Sequence, residues 1–193
     1  MQDKKYIEMM SSRKTNYEEE TSTETEQQQA SPYYQADTIN SMRLNTLYVD
    51  DEKEVKDRLR KAIQQSISDG FTTFISGMAR GIDMWAAEIV IEEREKNNSI
   101  KLICASPFEG FEKSWGFDEK QRYNKILKNA DYIKYVCSHY SLQCFQIRNV
   151  WMVEHSARVI AAYNGESGGT RNTVRYATRK GIEIYNILEA SNT

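Results

Sequence analysis

From Phe71 to Ile187 the sequence repeats one unit: a short apolar run, a turn or loop, and a stretch with apolar residues at three- and four-residue steps. Short runs rich in Phe, Ile, Val and Tyr read as strands, and the longer period reads as amphipathic helix. On that basis FTTFIS (71–76), IKLICAS (100–106), DYIKYV (131–136), ARVIAAY (157–163) and IEIYNI (182–187) are expected strands. Helices are expected from Asp83 to about Lys96, from Asp118 to about Asn129, over 142–156, and from Thr170 to Lys180, where Gly181 stops the last. A further helix precedes them from Asp51, with Val55, Leu59, Ala62, Ile63 and Ile67 on one stripe and Gly70 as its stop. Strands alternating with helices, most strands being continuous apolar runs, specify an α/β fold with a doubly wound, largely parallel sheet covered on both faces. Ligands of such sheets collect at the carboxyl ends of the strands. The loops after Ser76, Ser106, Val136 and Tyr163 are therefore the places to look.

The first forty residues differ from the rest. They hold no glycine, and the stretch SSRKTNYEEETSTETEQQQA is polar with no apolar period. Such a segment buries too little surface to offset its ordering entropy, so 1–40 is expected to be an irregular or disordered tail and 41–193 the folded domain. KKYIEMM inside the tail has the pattern of a short strand. A chain of 193 residues has room for one domain with such a surplus. No apolar run approaches the ~18 residues of a membrane span, and the N-terminus lacks a signal-peptide core. The expectation is a soluble, cytoplasmic protein. Cys104, Cys137 and Cys144 lack CxxC spacing and two histidines are too few to complete a zinc site. Reduced, mostly buried thiols and no metal are expected. A formal charge of -2 gives no global attraction to nucleic acid.

The strongest site signal is VIAAYNGESGGTRNTVRYATRKGIEIYNI, a complete strand, loop, helix and strand. Gly168 and Gly169 permit a sharp turn and close approach of backbone to ligand, and Thr170 suits an N-cap. The first helical N–H groups, the helix dipole and Arg171 or Arg175 would then favour a phosphate. An ordinary glycine loop with an ordinary cap fits the same residues equally well. SGMARGIDMWAAE repeats the logic, with Gly77 and Gly81 framing a turn and Asp83 available to cap the helix or to accept from a ribose hydroxyl. SPFEGFEKSWGF is a long aromatic loop of the kind used as lids. Phe108 or Trp115 could stack on a base and Glu109 or Glu112 could bind hydroxyls, or the aromatics simply pack against the domain. Arg148, Asn149 and His155 share one expected helix, with Arg148 and His155 nearly on one face.

SGMARGIDMWAAEIV, SPFEGFEKSW, RNVWMVEHS and the glycine unit ending at Ile187 resemble, in order and spacing, the signature blocks of the YpsA-like family. That family lies within the SLOG superfamily of DprA (Smf) and LOG proteins. The resemblance runs from about Val55 to Ile187. It implies a Rossmann-like fold and a nucleotide or nucleotide-derived ligand of ADP-ribose type. Carried over position by position, the implied site comprises Gly77, Gly81, Asp83, Glu109, Arg148, Asn149, Gly168, Gly169 and Thr170. By analogy with this class a homodimer is expected. YpsA-like proteins usually open with a strand and a Thr-Gly-His-Arg type turn, whereas the first glycine here is Gly70 and the first histidine His139. Ser11, Ser12, Arg13 and Lys14 are a poor match to that turn. LOG phosphoribohydrolases carry a catalytic glutamate after their glycine turn, where this chain has Arg171 to Arg175 without a carboxylate.

The expected function is a cytoplasmic binding or sensor protein for a nucleotide-derived ligand, with catalysis the less favoured reading. The alternative is a nucleotide-processing hydrolase using Glu109, Glu112 or Asp83. DprA-like binding of single-stranded DNA ranks last, because such sites need a basic groove.

Overall fold

The computed structural model describes residues 49–188. The expectations for 1–40, including the KKYIEMM strand and the stand-in turn at 11–14, fall outside them. Helix α1 (Val49–Ser68) leads into β1 (Thr73–Ser76), followed by α2 (Ile82–Lys96), β2 (Lys101–Ser106) and a 3-10 turn (Phe111–Ser114). Then come α3 (Phe117–Lys128), β3 (Tyr132–Tyr135), α4 (Cys144–Glu154), β4 (Arg158–Ala161), α5 (Gly169–Arg179) and β5 (Glu183–Asn186).

The strands are parallel, as the alternation with helices requires. β2 lies between β1 and β3, with Ser76 opposite Cys104 and Cys104 opposite Ile133. β4 pairs with β5, Ala161 facing Asn186. These pairings make a three-stranded and a two-stranded sheet, so among the described residues β1 and β4 each bond on one edge only. The apolar-run criterion fits β2, which is buried from Leu102 to Ser106. It does not fit β5, whose residues alternate between exposed and half-buried, as on a strand with one solvated face.

One apolar cluster takes Leu59, Ala62 and Ile63 from α1, Met84, Ala87 and Val90 from α2, Leu102 and Cys104 from β2, Tyr123 and Ile126 from α3, and Ile187 beyond β5. The stripe on α1 is thus the packed face, with Val55 and Ile67 at its margins. Glu93 of α2 is buried against α1, where it accepts from Gln64 Nε2 at 2.9 Å and pairs with Lys96 at 2.9 Å.

Helix α1 also ties the two sheets together. Arg158, the first residue of β4, donates to Asp69 Oδ2 at 2.6 Å and to Ser66 Oγ at 3.2 Å, and covers the Phe71 ring at 4.7 Å. Farther along, Ile187 N–H donates to Ala161 O, and Ile187 O accepts from Arg58 in the middle of α1. β4 therefore starts beside the turn that starts β1 and runs back along α1. The loops that follow β1 and β4 open at the same end of the fold.

Candidate functional site

The turn after β1 is built by close approach. Gly77 is buried, and a Cβ placed on it would lie 2.6 Å from Asp83 Oδ2, 3.1 Å from Met152 Sδ and 3.4 Å from Arg148 Cζ. Only glycine leaves room for three side chains to converge there. Met78 follows at φ 61, a left-handed conformation rarely adopted by a residue with a side chain. It is held by burial and by the N–H it donates to Ser76 Oγ at 3.2 Å, while that hydroxyl donates to Asp83 O at 2.8 Å. Strained backbone of this kind costs roughly 1–3 kcal/mol and concentrates at ligand sites.

Asp83 was expected either to cap α2 or to accept from a ribose hydroxyl, but the cap position belongs to Gly81 at φ 82. Asp83 sits in the first turn instead, and its carboxylate reaches back to accept from Ala79 N–H at 3.1 Å. The φ > 0 that the tight turn imposes is accessible to glycine, so the aspartate is displaced into the helix and braces the turn. Arg148, on α4, is buried and donates through Nη1 to Gly77 O at 2.7 Å. Its Nε and Nη2 donate to Asn149 Oδ1 at 3.1 and 3.0 Å. Gly77, Asp83, Arg148 and Asn149 thus form one cluster at the end of β1, with Gly81 closing the turn.

A second cradle follows β4. Gly165 has φ 90 and Gly168 has φ 150 with ψ −172, both open to glycine. Gly168, rather than Thr170 as expected, holds the N-cap position of α5, and Thr170 is an exposed residue of the first turn. The extended ε conformation of Gly168 sets the cap two residues earlier than cap preference alone would place it. Gly168 has no side chain to cap this helix, and among the described residues no side-chain cap bond is made at its start, where the first-turn N–H groups of a helix lack intrahelical partners. The loop is anchored by Asn186, whose amide accepts from Tyr163 N–H at 2.9 Å and donates to Tyr163 O at 2.8 Å. Helices α4 and α5 pack together, so the element carrying Arg148 and Asn149 adjoins the one starting at the cradle.

No hydrogen bond or ion pair among the described residues joins Glu109 to either turn. Glu109 is exposed in the loop after β2, next to Gly110 at φ 78. Burial, and then the charges of Glu109 and Glu112, push the Tyr135 hydroxyl above its ordinary pKa. No hydrogen bond or ion pair among the described residues joins Asp83 to Glu109 or Glu112. Trp115 is buried edge-to-face against Phe111 and Tyr123 and is closed to a base. Phe108 packs on Phe111, Tyr140 and Phe145, so the loop packs its own aromatics. His155 ends α4, stacked on Trp151. Trp85 packs against the core beneath Lys56.

Two of the three cysteines depart from expectation. Cys104 is a buried thiol pushed up to about 12 by burial. Cys137 and Cys144, expected to be reduced, form a disulfide. The loop between β3 and α4 folds back and sets their Cα atoms 6.0 Å apart, a proximity that spacing rules do not encode. Sequence reasoning also missed Ser76 and Asn186, polar residues on apolar strands whose position at the strand ends was the available signal. Among the described residues no cluster of three or more His, Cys, Asp or Glu could hold a metal, and no helix is long and apolar enough to cross a membrane.

Parallel strands, covering helices and two glycine turns at one end of the strands define a Rossmann-like α/β protein. A family model described as YspA SLOG family (YpsA) matches residues 40–187. The uncharacterized SPbeta prophage-derived protein YoqJ of Bacillus subtilis is 34% identical over 139 residues, 65% of this chain and 81% of YoqJ. A UPF0398 protein of Bacillus thuringiensis is 29% identical over 134 residues, 68% of this chain and 73% of the relative, as is UPF0398 protein BCAH187_A1726 of Bacillus cereus. The chain belongs to the YpsA family of SLOG proteins.

Proposed function

We propose that the chain is a cytoplasmic binding or sensor protein for a nucleotide-derived ligand of the ADP-ribose type. The ligand's phosphate rests on the start of α5, over Gly168, Gly169 and Thr170, and its ribose reaches the Gly77 turn. The observation that carries this reading is the uncapped N-terminus of α5, opened by Gly168 at φ 150, at the same end of the fold as the Gly77 turn. The orphan N–H groups and the helix dipole favour an anion there, and the exposed Arg171 and Arg175 add positive charge nearby. Arg148 and Asn149 supply the side between the two turns, since α4 bonds to Gly77 and packs on α5.

The hydrolase reading finds less support. Asp83 is engaged in bracing its own turn, and no hydrogen bond or ion pair among the described residues ties Glu109 or Glu112 to either glycine turn. A catalytic acid or base must reach the bond it serves.

Thermal melts with ADP-ribose, NAD, AMP and ATP test the proposal. A ligand at ~100 times its dissociation constant adds roughly 2.7 kcal/mol, a rise of several degrees in Tm for a domain of this size. A melting temperature unmoved by every member of the panel would sink it.

A further inference from the structure

We propose that the Cys137–Cys144 disulfide is reversible and regulates the ligand site by fixing the start of α4; the regulatory half of this inference rests on the nucleotide reading above. Cys137 lies just past β3 and is held to the neighbouring strand end, because its N–H donates to Pro107 O at 3.0 Å while Val136 N–H donates to Ser106 O at 3.1 Å. Cys144 is the first residue of α4 and is fully buried. The bond therefore runs from the carboxyl end of the β1–β2–β3 sheet to the first turn of the helix. Gln143, in the cap position of α4, makes no side-chain cap bond. The covalent tether anchors the start of the helix.

One helical turn beyond Cys144 stands Arg148, whose Nη1 grips Gly77 O, with Asn149 beside it. Residues four apart share a helix face, so the tethered sulfur and the arginine that closes the Gly77 turn move as one segment. Phe145, packed on Phe108 and Phe111, keeps that segment folded when the tether opens. Opening it loosens the placement of Arg148 without unfolding α4.

The chemistry needs a small thiol of the glutathione class. Its thiolate attacks Cys137 Sγ, the half-buried and so more accessible sulfur. The S–S bond breaks, and Cys144 Sγ leaves with the electron pair and takes up a proton. A second small thiolate attacks the mixed disulfide, releasing the Cys137 thiolate, which is protonated in turn, and the oxidised small disulfide. Two electrons pass from two small thiols to the cystine. Disulfides in a reducing compartment are mostly transient, catalytic or redox-sensing, and this one joins two segments that frame a site. Cys104 takes no part, since its buried thiol stays protonated.

The full-length chain equilibrated across a series of reduced to oxidised glutathione ratios provides the test. Alkylation and mass spectrometry read each cysteine, hydrogen exchange reads 144–154 and 77–81, and titration reads ADP-ribose affinity. Cys137 and Cys144 are expected to become alkylated together while Cys104 stays unmodified. The reduced protein should exchange faster over both segments and bind ADP-ribose about 5-fold or more weakly, a typical coupling between sites. Cys137→Ser should behave as the reduced form at every ratio. Free alkylation of Cys137 and Cys144 throughout the series would overturn the proposal, and so would identical exchange over 144–154 in both states. If exchange responds but ADP-ribose binds in neither state, the tether stands and the nucleotide reading falls.

Discussion

A single methyl added at Gly77 would set the new carbon 2.6 Å from Asp83 Oδ2, and the carboxylate could move only by giving up the Ala79 N–H. Met152 Sδ, 3.1 Å away on α4, blocks the other side. Gly77→Ala is therefore expected to destabilise the fold by about 1–3 kcal/mol, the usual range for overpacking. It should lower the urea midpoint without changing the slope of the transition; an unchanged midpoint would contradict the close approach. At this scale the sequence carried part of the candidate site. Gly77, Gly81 and Asp83 were legible because they share one turn, even though the cap role of Asp83 passed to Gly81. Arg148 reaches Gly77 across 71 residues, and no local pattern encodes that separation. Only the family resemblance had joined the two.

Helix α5 was legible as an element from its apolar period and from Gly181 as its stop. Its start was not. Thr170 has the better cap chemistry, yet the backbone at Gly168, with φ 150 and ψ −172, turns the chain so that the helix begins at Gly169. That conformation is essentially closed to residues with a Cβ, and forcing one into it costs roughly 1–3 kcal/mol. Gly168→Ala should accordingly fray the start of α5, seen as faster hydrogen exchange over 169–173, and should abolish the thermal shift by ADP-ribose. Retention of the full shift in this variant would move the phosphate away from α5. The bridge between the loop after β3 and α4 was equally hidden, since residues seven apart approach only because the intervening loop folds back.

Across the whole molecule, the order of strands and helices and their parallel sense followed from the alternation of two periods along the chain. The division of the described strands into two sheets did not, because the period of a strand says nothing of which edges find partners. Charge acts at this scale too. Asp69 is held below the ordinary carboxylate range by its hydrogen bond from Arg158, and Glu93 by Lys96. Burial pushes Asp131 up, but the Leu102 N–H, Lys101 and Arg94 outweigh it and leave the carboxyl lowered. Each group binds protons more weakly in the folded chain than in the unfolded one, so its contribution is complete above roughly pH 5 and fades as the pH falls through the depressed values. Melts from pH 7 to pH 3 should show Tm falling below about pH 5; a Tm that held or rose over that interval would exclude a net stabilising role for the three carboxylates. The bonds from Arg158 to Asp69 and from Arg58 to Ile187 span 89 and 129 residues. On a ribosome adding about 5–20 residues each second, α1 therefore waits on the order of ten seconds for these partners to be made. The nascent chain can assemble α1 to β3 first, and the last strands then close over a helix synthesised long before them.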